Sequence, residues 1–204
     1  MRFIETREEL RDHYKAPSDR AVRKELNALD AHCRAFIEKS PFMLIGSSDG
    51  AGNGDVTPKG DRPGFVAVLD ETTLAIPDRP GNNRLDTLEN LIANPAVGLL
   101  FLIPGMNETL RVNGSARITA DEALRELLAV DGKKPATVMI VSVEACYMHC
   151  AKAFMRSALW DPQSWPARSA MPTLGQILTD QLAMTTPADH TDRALEEGYR
   201  KTMW

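Results

Sequence analysis

Short apolar runs joined by connections too brief to hold a helix constrain this chain more than any other feature. Residues 42–46 (FMLIG), 64–69 (GFVAVL), 73–76, 97–103 (VGLLFLI), 110–118 and 136–146 (ATVMIVSVEAC) each read as a strand. Asp70-Glu71-Thr72 is a tight turn, and the glycine-rich stretch 47–55 (SSDGAGNGD) is a flexible hairpin tip. That stretch lacks the Walker spacing, and Gly60 stands where a calcium loop needs its last glutamate. A doubly wound parallel sheet needs a helix after nearly every strand. This chain does not supply them, so the expected fold is mainly β with helical additions (α+β), an antiparallel barrel of about six or seven strands.

Helices belong to the flanks and to two of the connections. Val22, Leu26, Leu29, Cys33 and Phe36 recur at spacings of three and four, one face of a helix beginning near Ser18. Pro17 separates it from a shorter charged helix, and Ser40-Pro41 stops it. Leu85, Leu88, Leu91 and Ile92 mark a second helix that ends at Asn94-Pro95. Further helices are expected over 121–130 and 174–184, with a helix or irregular lid over 147–165. The polar tail 187–204 is either mobile or docked on a partner. The organisation is thus an N-terminal helical extension (1–40), a barrel domain (41–165) and a C-terminal helix with its tail (166–204).

Composition narrows the function. With 43% hydrophobic and 25% charged residues, the chain reads as a soluble globular protein. A net charge of −4 without a basic face argues against nucleic acid. No apolar run approaches the roughly 20 residues of a membrane helix, and the charged start MRFIETREELRDHYK is no secretory signal. Cys33, Cys146 and Cys150 are odd in number and lack metal-ligand pairing, which favours a reducing, cytoplasmic setting and no metal. His149 and Cys150 have no third residue to orient them, so they read as structural.

The chemistry concentrates in residues 73–117: strand, arginine-rich turn, short helix, strand, polar loop, strand. The turn puts Arg79, Asn82, Asn83 and Arg84 where the helix begins. Free N–H groups and the positive end of the dipole make that place attractive to a phosphate. Surface arginines are usually just solvated, but cations at a helix start oppose the dipole unless an anion is present. Arg111 is a further cation in the same unit, with Glu108 or Asp86 as alternative structural partners. Phosphate at one end and apolar strands beside it point to a phosphorylated aromatic cofactor.

Three ordered motifs sharpen this: Pro58-Lys59-Gly60-Asp61, Arg79-Pro80-Gly81-Asn82-Asn83-Arg84 and Glu108-Thr109-Leu110-Arg111-Val112-Asn113-Gly114. From about Phe42 to Trp160 the chain resembles the pyridoxamine 5′-phosphate oxidase-like, FMN-binding split β-barrel proteins. The resemblance implies a six- to seven-stranded antiparallel split β-barrel and a homodimer with FMN at its interface. It implies that Val56, Thr57 and Lys59 line the ring edge and that Asn82, Asn83 and Arg84 hold the phosphate. Thr109 and Arg111 would face the ribityl chain or phosphate, and the region of Arg156 and Trp160 would close over the flavin from the partner chain. Lys59 near the flavin would favour its anionic reduced form. The expected activity is an FMN-dependent oxidoreductase acting on a small-molecule substrate or nicotinamide nucleotide, with no side-chain acid or base identified. The alternatives are a non-catalytic FMN-binding protein for storage or sensing, and a haem- or deazaflavin-binding relative. Asn-Asn-Arg stands where the oxidases have Ser-x-Lys, and the ending Tyr199-Arg200-Lys201-Thr202-Met203-Trp204 lacks their arginine-containing terminus. Both departures favour FMN binding over vitamin B6 oxidation.

Overall fold

A computed structural model describes all 204 residues. Seven strands make one antiparallel sheet: β1 (Phe42–Ser48), β2 (Gly54–Gly60), β3 (Ala67–Val68), β4 (Thr73–Pro77), β5 (Ala96–Leu102), β6 (Thr109–Thr119) and β7 (Val138–His149). Their spatial order is β2-β1-β5-β6-β7-β4-β3. The helices are α1 (Arg7–Asp12), α2 (Asp19–Arg23), α3 (Ala31–Lys39), α4 (Asp86–Ala93), α5 (Glu122–Leu127), α6 (Lys152–Ser157), α7 (Leu174–Gln181) and α8 (Ala188–Thr202). The fold is α+β, as the strand spacing predicts.

The period of two along each strand sorts side chains between two faces. On β1, Met43 and Ile45 are fully buried, while Phe42 is exposed and Leu44 half-buried. On β5, Leu99 and Phe101 point inward; Leu100 and Leu102 are half-buried on the other face. Leu74, Ile76, Leu110, Val112, Met139 and Val141 complete the interior, with Phe36 and Ile37 of α3 packed against it. Each such side chain contributes roughly 1.5–3 kcal/mol by leaving water. Helix α4 packs across β1, β2 and β6 through a buried face that includes Thr87 and Leu91.

The two sheet ends approach each other without a backbone ladder. Lys59 on β2 pairs with Asp78, just past β4, at 2.8 Å. Asp61 pairs with Arg79 at 2.7 Å. All four side chains are largely shielded from water, so charge closes this seam of the split barrel. A bulge between Asn113 and Gly114 bends β6 against β7. A Cβ on Gly114 would lie 1.9 Å from the Ser142 carbonyl oxygen, so only glycine fits there.

Three expectations change. The helix from Ser18 is really α2 and α3, separated by a segment in which Leu26 exchanges backbone hydrogen bonds with Cys146 at 2.9 and 2.8 Å. Asp30 starts α3 afresh by accepting from the Cys33 N–H at 2.8 Å. The apolar run 64–69 pairs only over Ala67–Val68, because Gly64 takes a φ of +82° and Phe65 and Val66 plug the core instead. The tail 187–204 contains helix α8, and the Trp204 ring lies 5.7 Å from the Arg79 guanidinium and 5.5 Å from the Lys133 ammonium. Cys146 is buried on β7 with its sulfur 4.0 Å from that of Cys33, and Cys150 is exposed beyond the strand.

Candidate functional site

The turn entering α4 is held in an unusual backbone conformation. Asn83 and Leu85 have φ of 60° and 61°, a region that costs a residue with a side chain about 1–2 kcal/mol. Leu85 is the N-cap, and no side chain caps the helix. The first amides of α4 are therefore left without the usual serine, threonine or aspartate acceptor, and strain of this kind gathers at ligand sites. Asn82 shapes the turn by accepting from the Arg84 N–H at 3.1 Å.

A cleft of about 560 Å³ opens in front of this turn. Residues 78–88 form one wall, and Asp55, Val56, Thr57 and Lys59 of β2 form the other. Arg84 is 72% exposed and donates from Nε to Asp86 at 2.7 Å, which leaves its terminal nitrogens uncommitted. Asp86, and after it Asp55, hold the Arg84 charge in place by raising its proton affinity further. The other carboxylates of the cleft are already engaged. Asp78 accepts from Lys59 and Asp55 accepts from the Thr87 hydroxyl at 3.3 Å. An incoming anion thus meets partnered carboxylates, one open guanidinium and an uncapped helix start.

Val56, Thr57, Lys59, Asn82, Asn83 and Arg84 all line this cleft. Strand alternation splits β2: Thr57 and Lys59 register against Ile45 and Met43 on the core side, whereas Val56 is exposed on the other. Lys59 brings no free charge, since Asp78 matches it. Arg79 also touches the cleft but is turned into the protein, donating to Asp61 and to the Leu128 carbonyl at 2.9 Å. The arginine cluster expected from the motif therefore divides into one structural and one open guanidinium.

Four other expected residues do not line the cleft within one chain. Thr109 is buried at the start of β6. Arg111 is exposed on the outer face of that strand and bonds the Tyr147 hydroxyl at 2.9 Å, not Glu108 or Asp86. Arg156 is exposed on α6. Trp160 stacks on Phe154 with ring centres 5.7 Å apart and donates to the Met106 carbonyl at 2.7 Å. Sequence reasoning missed Asp55, Asp78 and Thr87. Asp78 adjoins the arginine motif and was legible; the role of Asp55 depends on how α4 folds back against β2.

The sequence model of the family described as pyridoxamine 5′-phosphate oxidase matches residues 29–150. The chain belongs to the pyridoxamine 5′-phosphate oxidase family. The match begins in the segment before α3 and ends just past β7, so it takes in the whole sheet and the cleft. Among solved structures, a variant of HupZ from Group A Streptococcus is 18% identical and aligns over 59% of this chain and 99% of its own, with a TM-score of 0.50. A Lactobacillus delbrueckii protein assigned to the pyridoxamine 5′-phosphate oxidases is 22% identical over 61% of this chain and 98% of its own, also at 0.50. At such identities these neighbours show a shared fold. A search of curated proteins finds no match. No helix is long and apolar enough to cross a membrane.

Proposed function

We propose that the protein binds FMN in the cleft before α4 and acts as an FMN-dependent oxidoreductase, working as a cytoplasmic homodimer. The observation that carries this reading is the uncapped, left-handed turn at Asn83–Leu85 beside the open Arg84 guanidinium. A dianionic phosphate supplies what that turn lacks: an acceptor for the free amides and a partner for the guanidinium. Asn82 and Asn83 shape the cradle, while Thr57 and the Lys59–Asp78 pair line the cleft beyond it. Bound FMN supplies the hydride-transfer chemistry, and the protein supplies position and electrostatics. Lys59 and Asp78 together present a dipole to the ligand, so their effect on the charge of a reduced ring is smaller than that of a lone lysine.

Support for the dimer comes from the outer face of the sheet. Leu44, Leu100 and Leu102 are half-buried there, with Phe42 exposed beside them. A second copy on this face would cover them and bring further residues toward the flavin.

The test is a visible spectrum and an FMN titration of the purified protein. FMN should bind at least about tenfold more tightly than riboflavin, the scale of a charge-assisted contact to phosphate. Equal affinities, or no flavin binding at all, would refute the proposal. A second reading, flavin binding without turnover, is favoured by one observation: Lys59, Asp78, Asp55 and Asp86 are all engaged, which leaves no free acid or base in the cleft. Oxygen consumption with NADH, NADPH or pyridoxamine 5′-phosphate separates the two.

A further inference from the structure

Helices α7 and α8 pack on each other and make no comparable contact with any strand. They meet closely at Gly175, whose N–H donates to the Asp192 carboxylate at 2.8 Å and whose Cβ, if it had one, would lie 2.5 Å from the Ala188 carbonyl oxygen. Thr179 on α7 and Thr191 on α8 carry hydroxyls shut off from water with no hydrogen-bond partner. Each such orphan costs free energy, so the hairpin is a weak unit even against itself. No hydrogen bond or ion pair joins either helix to the barrel. The Trp204 ring, which follows α8, makes the connection. It is half-buried, 5.7 Å from the Arg79 guanidinium and 5.5 Å from the Lys133 ammonium.

Both cations are positioned independently of that ring. Lys133 sits on a tight turn closed by reciprocal backbone hydrogen bonds with Val130 at 3.0 and 2.9 Å. Arg79 is one half of the shielded pair with Asp61 and also donates to the Leu128 carbonyl. An indole beside a guanidinium is attractive in its own right. It also keeps water from one side of the Arg79–Asp61 pair, and the lower local dielectric strengthens their attraction. That pair closes the seam between β2 and the end of β4. We propose that the α7–α8 hairpin is a detachable strap: docking of Trp204 on Arg79 and Lys133 clamps the seam, and undocking loosens it. Linkage makes the two events reciprocal, so whatever opens the seam also releases the strap. The device needs no ligand in the cleft before α4.

The test is amide hydrogen exchange of the full chain as purified, read residue by residue by NMR. Two seam amides serve as reporters. The Asp61 N–H donates to the Pro41 carbonyl at 3.1 Å, and the Asp78 N–H donates to the Thr137 carbonyl at 3.0 Å. Amides of α8 report the strap, and those of β5 and β6 report the centre of the sheet. Trp204→Ala should speed exchange at α8 and at both seam reporters roughly tenfold, the scale of two cation–ring contacts, and leave β5 and β6 unchanged. Trp204→Phe, which keeps a ring, and Lys133→Gln, which leaves the seam pair intact, should each give a smaller rise at the same amides. Asp61→Asn checks reciprocity: it breaks the seam pair and should speed exchange in α8. Faster exchange in α8 with unmoved seam reporters in Trp204→Ala would overturn the proposal, as would no change at either place. An acceleration shared equally by β5 and β6 would mean a general loss of stability and would overturn it too. So would an Asp61→Asn variant whose α8 exchanges at the wild-type rate.

Discussion

Arg79 and Arg84 stand on one turn yet do different work. Arg79 is bound to Asp61, to the Leu128 carbonyl and under the Trp204 ring, whereas Arg84 keeps most of its guanidinium in the open cleft. Arg84→Ala should therefore weaken FMN binding roughly tenfold and leave thermal melting nearly unchanged. Arg79→Ala should behave in the opposite way. It strands the shielded Asp61 carboxylate and should cost about 3 kcal/mol in a urea melt. Equal effects of the two variants on FMN affinity would remove Arg84 from the phosphate site. The thiols offer a second prediction at this scale. Burial pushes Cys33 up to about 12, and burial likewise raises Cys146. Only exposed Cys150 should react with a disulfide reagent in native protein near pH 8, and all three after denaturation. The sign for stability follows from the raised value. The unfolded chain ionises its thiol first as pH rises, so this contribution falls from the ordinary thiol range up to about pH 12. Rapid labelling of two or three native thiols would contradict this.

Strand β6 shows how one residue constrains an element. Gly114 occupies the bulge that lets β6 bend against β7, and any Cβ there would enter the Ser142 carbonyl. Gly114→Ala should cost at least about 3 kcal/mol or abolish soluble expression; a wild-type melting curve would show that the bulge relaxes cheaply. Much at this scale was legible in the sequence. Strands β1, β4, β5, β6 and β7 announced themselves as short apolar runs bounded by turn residues, and α4 was bounded by its own Asn94-Pro95 stop. What failed was local pattern without local cause. Residues 64–69 are apolar because Phe65 and Val66 fill the core, not because they pair. The apolar spacing from Val22 to Phe36 continues across a break imposed by Leu26 pairing with distant Cys146. The site divided in the same way. Asn82, Asn83 and Arg84 share one turn and could be read together. The partners of Arg79, Asp61 and the Leu128 carbonyl, come from segments far apart in the chain.

At the scale of the whole molecule, the outer face of β1 and β5 remains incompletely covered by the chain's own helices. Leu100 lies there, paired in register with Leu44 and Arg111 on neighbouring strands. If this face joins two copies, Leu100→Glu should yield monomers by light scattering and lose FMN affinity, with the monomer still folded by circular dichroism. A variant that stays dimeric would move the interface elsewhere. The seam between β2 and the end of β4 carries a further consequence. Since Lys59–Asp78 and Asp61–Arg79 hold it, the barrel can part there without rupturing any strand pairing. Flavin uptake should accordingly be faster in Lys59→Met than in wild type, as seen by stopped-flow fluorescence quenching; an unchanged rate would mean entry by another route. A broad planar ring would then slip in sideways through two charged latches, on the timescale of local breathing and far ahead of global unfolding.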